Sequence, residues 1–181
     1  MNEEMTCIER FLAGENEGFE ILVKKYQNRV LNIVYSLVGQ DREAEDIMQE
    51  VFLKAYDSLK GFKHKSQFST WLYRITVNTT YDFLRKRKNL VEEAFLDKIV
   101  AFYGRPDDTL LLEEKEEMVQ EALNKVPFKF RTALVLKDIE GLSYKQISEV
   151  LECSIGTVES KIYRARMSLK KELLRLEGET I

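Results

Sequence analysis

The chain has 181 residues, 44% of them hydrophobic and 33% charged, with a net charge of −3; that is a soluble globular composition, enough for one ordinary domain or two small ones. The negative balance excludes strong unaided binding to a polyanion, so any nucleic-acid contact must come from local basic faces. Two cysteines far apart and one histidine give a structural zinc no ligand set, and no apolar run approaches the roughly 18 residues of a membrane span.

The acidic start MNEEMTCIER lacks the basic and apolar stretches of a signal peptide, which predicts a cytoplasmic protein. Both prolines, Pro106 and Pro127, fall in the second half, and the first hundred residues read as a series of helices. From Phe19 the residues Leu22, Val23, Tyr26, Val30, Ile33, Val34 and Leu37 keep helical spacing until Gly39. Asp41 is placed to cap the next helix, whose stripe of Ala44, Ile47, Met48, Val51, Phe52, Ala55, Tyr56 and Leu59 ends at Gly61. Its other face, with Glu43, Glu45, Asp46, Gln49 and Glu50, cannot hold DNA; it is either solvated surface or a dock for a basic protein patch. Ser66 can cap a third helix running through Trp71, Leu72, Ile75 and Phe83 to about Lys88. Three amphipathic helices with short connections make a bundle.

Around the start of that third helix the aromatics Phe62, Phe68, Trp71 and Tyr73 interleave with Lys63, Lys65 and Arg74, and the cluster Arg85, Lys86, Arg87 and Lys88 follows. Aromatic faces stack unpaired bases while cations track the backbone, so this composition suits a single strand. The plainer reading makes Phe68 and Trp71 core, with Lys63, His64 and Lys65 a solvated loop.

From about Asn89 to Glu117 the periodicity weakens and acidic residues dominate, with a turn signal at GRPDD from Gly104. Residues 91–117 read as a linker carrying some helix, which fully extended reaches on the order of 90 Å, enough to hold two modules well apart on duplex. Periodicity returns at Val119, Pro127 suits the first turn of a helix, and Gly141 ends it. Ser143 and Gln146 then form a capping box for a short helix with Ile147, Val150 and Leu151, a turn follows at 152–154, and Ile155, Val158, Ile162, Ala165 and Leu169 give the last helix its buried side. That order is a helix-turn-helix, in which the second helix lies in the major groove. Thr157, Glu159, Ser160, Lys161, Tyr163, Arg164 and Lys170 face outward with Arg166 at the margin, and such side chains read base edges and phosphates.

The expectation is therefore an all-α chain of two small helical domains, a bundle over 1–90 and a helix-turn-helix domain over 118–181, joined by the acidic linker 91–117. With no phosphate-cradling glycine loop, metal cluster or activated nucleophile, no enzyme activity, cofactor or small-molecule substrate is expected. One reading is a protein that reads duplex with one half and unstacked bases with the other; the alternative is a stand-alone helix-turn-helix transcriptional regulator.

These same residues resemble the extracytoplasmic-function branch of the bacterial RNA polymerase sigma factors, over nearly the whole chain. DREAEDIMQEVFLKAY is similar to the family's polymerase-docking helix, FSTWLYRITVNTTYDFLRKRK to its promoter-melting helix, and GLSYKQISEVLECSIGTVESKIYRARMSLKK to its minus-thirty-five domain. The resemblance implies a dissociable subunit whose partners are core polymerase, through its beta-prime and beta subunits, promoter DNA as duplex and single strand, and an anti-sigma factor, in this family often membrane-bound. It implies that Asp46, Gln49, Glu50 and Phe52 dock on the beta-prime coiled coil. The loop from Phe62 to Phe68, with Lys63, His64, Lys65 and Ser66, would capture a flipped base beside Trp71. Asn78 would stand at the upstream edge of the minus-ten element and Arg85, Lys86, Arg87 and Lys88 near phosphates. Thr157, Glu159, Ser160, Lys161, Tyr163, Arg164 and Arg166 would face the minus-thirty-five element. Two positions depart from the pattern: Leu72 stands where housekeeping members have a second tryptophan, and Glu159 where members of this branch often carry a basic side chain.

Overall fold

In the computed structural model, residues 3–39, 41–94 and 110–178 are described, without the side chains of 41, 88–94 and 110–116. The described residues form helices α1 (Glu3–Leu12), α2 (Glu17–Val38), α3 (Asp41–Ser58), α4 (Phe68–Ala94), α5 (Leu110–Lys125), α6 (Phe128–Leu134), α7 (Tyr144–Val150) and α8 (Ile155–Leu176), with a 3-10 turn at Leu59–Gly61 and a π-helical stretch at Val135–Ile139. No strand occurs among them, and no helix is long and apolar enough to cross a membrane.

Helix α1 goes beyond the sequence expectation. Cys7, Ile8 and Phe11 are buried on one side of it, and the approach to α2 is so close that a Cβ on Gly18 would stand 2.3 Å from the Cys7 carbonyl oxygen. Its acidic residues, which hid the stripe, are used: Glu4 takes Lys25 at 2.9 Å and the Tyr26 hydroxyl donates to it. Helix α2 ends as expected at Gly39, whose φ of 74° is left-handed and whose N–H donates to Tyr35. Helix α3 begins at Asp41 itself. Helix α4 starts two residues beyond Ser66, with Trp71 N–H donating to the Gln67 carbonyl, so Gln67 holds the position given to Ser66.

The inner face of α4 is threonine-rich: Thr70, Thr76, Thr79 and Thr80 are all buried. Thr76 and Thr80 donate back to the carbonyls of Leu72 and Thr76 at 2.9 and 2.8 Å, which keeps those hydroxyls satisfied without leaving the helix. Cys7 is buried, Cys153 is half-buried, and both are free.

Helix α4 runs on to Ala94 and α5 begins at Leu110, so helix occupies both ends of the expected linker. The GRPDD turn lies outside the described residues. The larger difference is that the two helical units are packed together. One apolar cluster contains Val30, Ile33 and Val34 of α2 together with Leu136, Ile147, Val150 and Ile162 of the second unit. Helix α2 also contacts α5 and α6, and α4 contacts α7. Helix α2 is buried over a wide arc, since Ser36 and Val38 are buried beside the stripe that runs through Val30, Ile33, Val34 and Leu37, and a helix of that kind needs cover on two sides.

A polar seam runs through this packing. The Gln120 side-chain amide donates to the Ser36 carbonyl at 3.4 Å, and Arg131 donates to Asn124 at 2.8 Å. Burial without a carboxylate pushes the Arg131 guanidinium down to about 10. A Cβ on Gly39 would lie 2.5 Å from the Asn124 amide nitrogen, so the Asn124 side chain would have to move aside for any other residue there.

Candidate nucleic-acid interface

The loop between the 3-10 turn and α4 is built on an aromatic ladder that starts in the core. Phe68 is 3% exposed and packs on Tyr26 at 5.5 Å. Outside it, Phe62 and Trp71 are half-buried, with ring centroids 5.2 Å apart, and His64 stands edge-on to Phe62 at 4.7 Å. Phe68 therefore lies beneath the loop, while Phe62 and Trp71 keep part of their rings toward solvent. Leu72 is fully buried, so at the position where some relatives of the pattern carry a second aromatic this chain puts a core residue.

Lys63, His64 and Lys65 are exposed on the rim and Ser66 is half-buried. His64 takes a φ of 53°, a left-handed conformation uncommon for a residue with a Cβ, which turns the chain sharply at the loop's tip. Further along α4, Asn78, Arg85, Lys86 and Arg87 are exposed. Two of those cations already have partners: Arg85 pairs with Asp82 at 3.2 Å and Arg87 reaches Glu43 on α3 at 2.8 Å. The side chain of Lys88 lies outside the described residues. Arg74, which sequence reasoning saw in the basic run but gave no role, lines a cleft of about 470 Å³ with Phe62, Lys63, Lys65 and Trp71. Its place one turn after Trp71 was the available signal.

In the second unit the capping box forms as expected. Ser143 Oγ accepts from the Gln146 N–H at 3.2 Å and the Ser143 N–H donates to Gln146 Oε1 at 3.0 Å. The turn passes through Glu152, whose φ of 50° is left-handed, and Ser154 then caps α8 by accepting from the Thr157 N–H at 3.2 Å. Val158, Ile162 and Ala165 are buried, while Ile155, expected inside, is 47% exposed because it opens the helix beyond the reach of the core.

Thr157, Glu159, Ser160, Tyr163 and Arg164 are all exposed and Lys161 is half-exposed. Exposed Arg164 lies over the Phe130 ring at 5.7 Å, which sets its direction through a cation–π contact. Arg166 is also exposed, and its guanidinium is engaged by a partner. Its guanidinium makes two hydrogen bonds to Asp138, at 2.7 and 3.1 Å, and that pairing raises its pKa. The π-helical stretch carries Asp138 and so brings the carboxylate to Arg166.

The outer face of α3 presents Asp46, Gln49 and Glu50 to solvent, with Glu50 paired to Lys54 at 2.8 Å. Sequence reasoning treated this face as purely polar, yet Leu53 is 67% exposed on it. With Phe19, Val23, Met48, Phe52 and Tyr56 it borders an apolar groove of about 370 Å³. Leu53 falls out of phase with the buried stripe, and that was the missed signal. A second apolar groove of about 480 Å³ lies between α5, the π stretch and α8, bordered by Val119, Leu123, Ile139, Leu169 and Leu173. Its residues come from three elements, so no single helical stripe reveals it. Apolar hollows rimmed by charge are where proteins meet proteins. Among the described residues no group of His, Cys, Asp or Glu could hold a metal ion.

Two parts of the chain match known families. Residues 22–90 match the Sigma-70 region 2 family and residues 116–169 match Sigma-70, region 4. The chain is 36% identical over 187 residues to the RNA polymerase sigma-H factor of Pseudomonas aeruginosa, covering 98% of this chain and 97% of that one. It is 36% identical to the ECF RNA polymerase sigma factor SigW of Bacillus subtilis, over 92% of this chain and 94% of its relative. Among solved structures it is similar to the sigma factor RpoE of Bartonella quintana, in complex there with the anti-sigma factor NepR, at a TM-score of 0.70 and 27% identity over 86% of this chain and 96% of that one. The fold is also that of CnrH, in complex there with the cytosolic domain of CnrY, at a TM-score of 0.73 and 23% identity over 99% of this chain and 100% of that one.

Proposed function

The chain belongs to the extracytoplasmic-function branch of the sigma-70 family and is an RNA polymerase sigma factor; from that premise we propose how its surfaces divide the work of starting transcription. Residues 1–90 dock on the polymerase and read the minus-ten element, and residues 118–181 read the minus-thirty-five element. Asp46, Gln49 and Glu50 supply the charged part of the docking face on the beta-prime subunit. Phe52 and Leu53 supply its apolar part, a mixture suited to a basic helix with an apolar edge. The groove between α5 and α8 takes a second apolar element, from the beta subunit.

Phe62 and Trp71 receive an unpaired base, backed by Phe68, while Lys63, His64, Lys65 and Ser66 face its backbone. Asn78 and the cations Arg85, Lys86, Arg87 and Lys88 follow the strand upstream. On duplex, Thr157, Glu159, Ser160, Lys161, Tyr163 and Arg164 reach base edges and phosphates, and Arg166 orders the domain through Asp138. An anti-sigma factor acts by covering these docking faces; the complex of the similar sigma factor in Bartonella quintana with an anti-sigma factor supports a partner of that class.

Energetics assign the catalysis elsewhere. Opening about ten base pairs at ~1.4 kcal/mol per stacking step costs more than about 10 kcal/mol, and a few captured bases return roughly 3 to 6 kcal/mol. The balance comes from the polymerase channel, which makes this chain a non-catalytic specificity subunit. The observation that carries the reading is the half-exposed Phe62–Trp71 pair ringed by Lys63 and Lys65, present in the same chain as a capped helix-turn-helix. Transcripts induced by overexpression define a template for run-off transcription with core polymerase. Product that depends on the protein, and is lost on Glu50→Lys or Phe62→Ala, is the expected result; equal product with and without the protein overturns it.

A further inference from the structure

The N-terminal residues of a helix laid in the major groove are the ones that contact base edges, and at that end of α8 several polar side chains are already occupied. The hydroxyls of Ser154 and Thr157 share a hydrogen bond of 2.9 Å, Ser160 donates back to the Gly156 carbonyl at 2.9 Å, and Arg164 farther along lies over the Phe130 ring. Glu159 differs. It is exposed, and among the described residues it makes no hydrogen bond or ion pair. Three and four residues to either side stand Ile155, Gly156, Ile162 and Tyr163, so the helix offers its carboxylate no cation at the spacings where side chains meet. Ile155 is 47% and Tyr163 68% exposed, which puts apolar surface one turn before and one turn after the carboxylate. The helix dipole favours an acidic residue in the first turn, but the first turn of α8 carries none and Glu159 follows it.

We infer that Glu159 selects a cytosine in the minus-thirty-five element. The inference rests on the assignment of α8 to that duplex and names the base its carboxylate requires. An ionised carboxylate has acceptors only, and in the major groove two bases offer it a donor, cytosine through N4 and adenine through N6. Adenine sets the N7 lone pair beside N6, where it repels the second carboxylate oxygen; cytosine has a C–H there instead. Guanine presents two acceptors, and thymine an acceptor and a methyl group. A carboxylate set against either loses water and gains no partner, so the wrong base is penalised as well as the right one rewarded. Ile155 and Tyr163 sharpen the choice, since apolar surface on both sides hinders water from replacing the missing donor. The phosphates act in the same sense, because an anion brought among them is tolerated only where a base amino group faces it. The base pair opposite Glu159 is therefore G·C, with its cytosine on the strand that the carboxylate meets.

The test uses holoenzyme, reconstituted from core polymerase and the full chain, on a template library. A promoter defined by the transcripts of overexpression keeps its start site and minus-ten element while its minus-thirty-five element is randomised, and sequencing of barcoded transcripts reads the output of each template. With the parent, one position of the element should favour one orientation of the G·C pair by about fivefold or more over the other three pairs. Glu159→Ala should flatten that position and leave the preferences elsewhere. Glu159→Gln should turn the same position to A·T, with adenine on the strand that held the cytosine, because an amide donates to N7 while accepting from N6. A position that still selects its G·C pair in either variant, whatever the total output, overturns the inference and leaves α8 as the reader of the element. A change confined to a position where the parent prefers an A·T pair does the same. Output from the parent that ignores the randomised element overturns the assignment of α8 to it, and the inference with it.

Discussion

Phe62 and Phe68 are six residues apart, both aromatic, and in contact at 6.2 Å, yet alanine at the two positions should do opposite things. Phe68 is 3% exposed and touches Tyr26, Phe62 and Trp71. Its truncation leaves a cavity, a loss of about 3 to 5 kcal/mol of folding stability. At roughly 2 to 4 °C per kcal/mol for a chain of this size, the melting temperature falls by about 6 to 20 °C. Phe62 is half-buried on the outside of the ladder, so Phe62→Ala should lower the melting temperature by only a few degrees. It removes a stacking face instead, worth about 1 to 3 kcal/mol per base, or roughly fivefold to 150-fold in strand affinity. Thermal denaturation followed by circular dichroism, beside oligonucleotide anisotropy on the same preparations, separates the two. Matching losses of melting temperature in the variants, or strand binding untouched by Phe62→Ala, would refute the inside-and-outside assignment of the ladder.

Leu53→Asp on the exposed face of α3 should weaken binding to core polymerase by tenfold or more with unchanged circular dichroism; competition against a labelled sigma factor measures it, and full affinity would remove the apolar groove from the docking face. Ser143→Ala removes the half of the capping box in which Oγ accepts from the Gln146 N–H, leaves the backbone N–H of residue 143 donating to Gln146 Oε1, and should cost about 1 kcal/mol, read as a lower denaturation midpoint; no shift would mean that this side-chain cap adds nothing to the packing of α7. Glu140 gives a pH dependence. Burial raises its pKa above the ordinary 4.5, only partly offset by Arg29. A raised pKa in the folded state means that the contribution is fully present below about pH 4.5 and is lost as pH rises through the folded value. Glu140→Gln should therefore melt like the parent at pH 4 and higher than it at pH 7; parallel curves at both would show that the carboxyl is not desolvated.

Local signals carried most of what the sequence told. The second unit was legible because Ser143, Gln146, Gly141 and the Val158–Ile162–Ala165 stripe each dictate one feature, and all are satisfied within a few residues. Helix α1 was not, because its apolar stripe is short and its acidic residues resemble a solvated tail until Lys25 and Tyr26 come to meet them. The aromatic run could not be sorted into inside and outside, since Phe68 and Trp71 lie one helical turn apart and only the third dimension puts Tyr26 under one of them. The packing of the halves was invisible for a similar reason. Each half has a stripe that could close on itself, and the wide buried arc of α2 declares itself only when Leu136 and Ile147 are found in the same cluster.

Gly39 makes the junction between the halves sensitive to the smallest possible change. A single added methyl group would stand 2.5 Å from the Asn124 amide, on a backbone whose φ of 74° already disfavours any other residue. Alanine there would make the Asn124 and Gln120 amides give way and strain the left-handed turn, so its cost falls on the seam between α2 and α5.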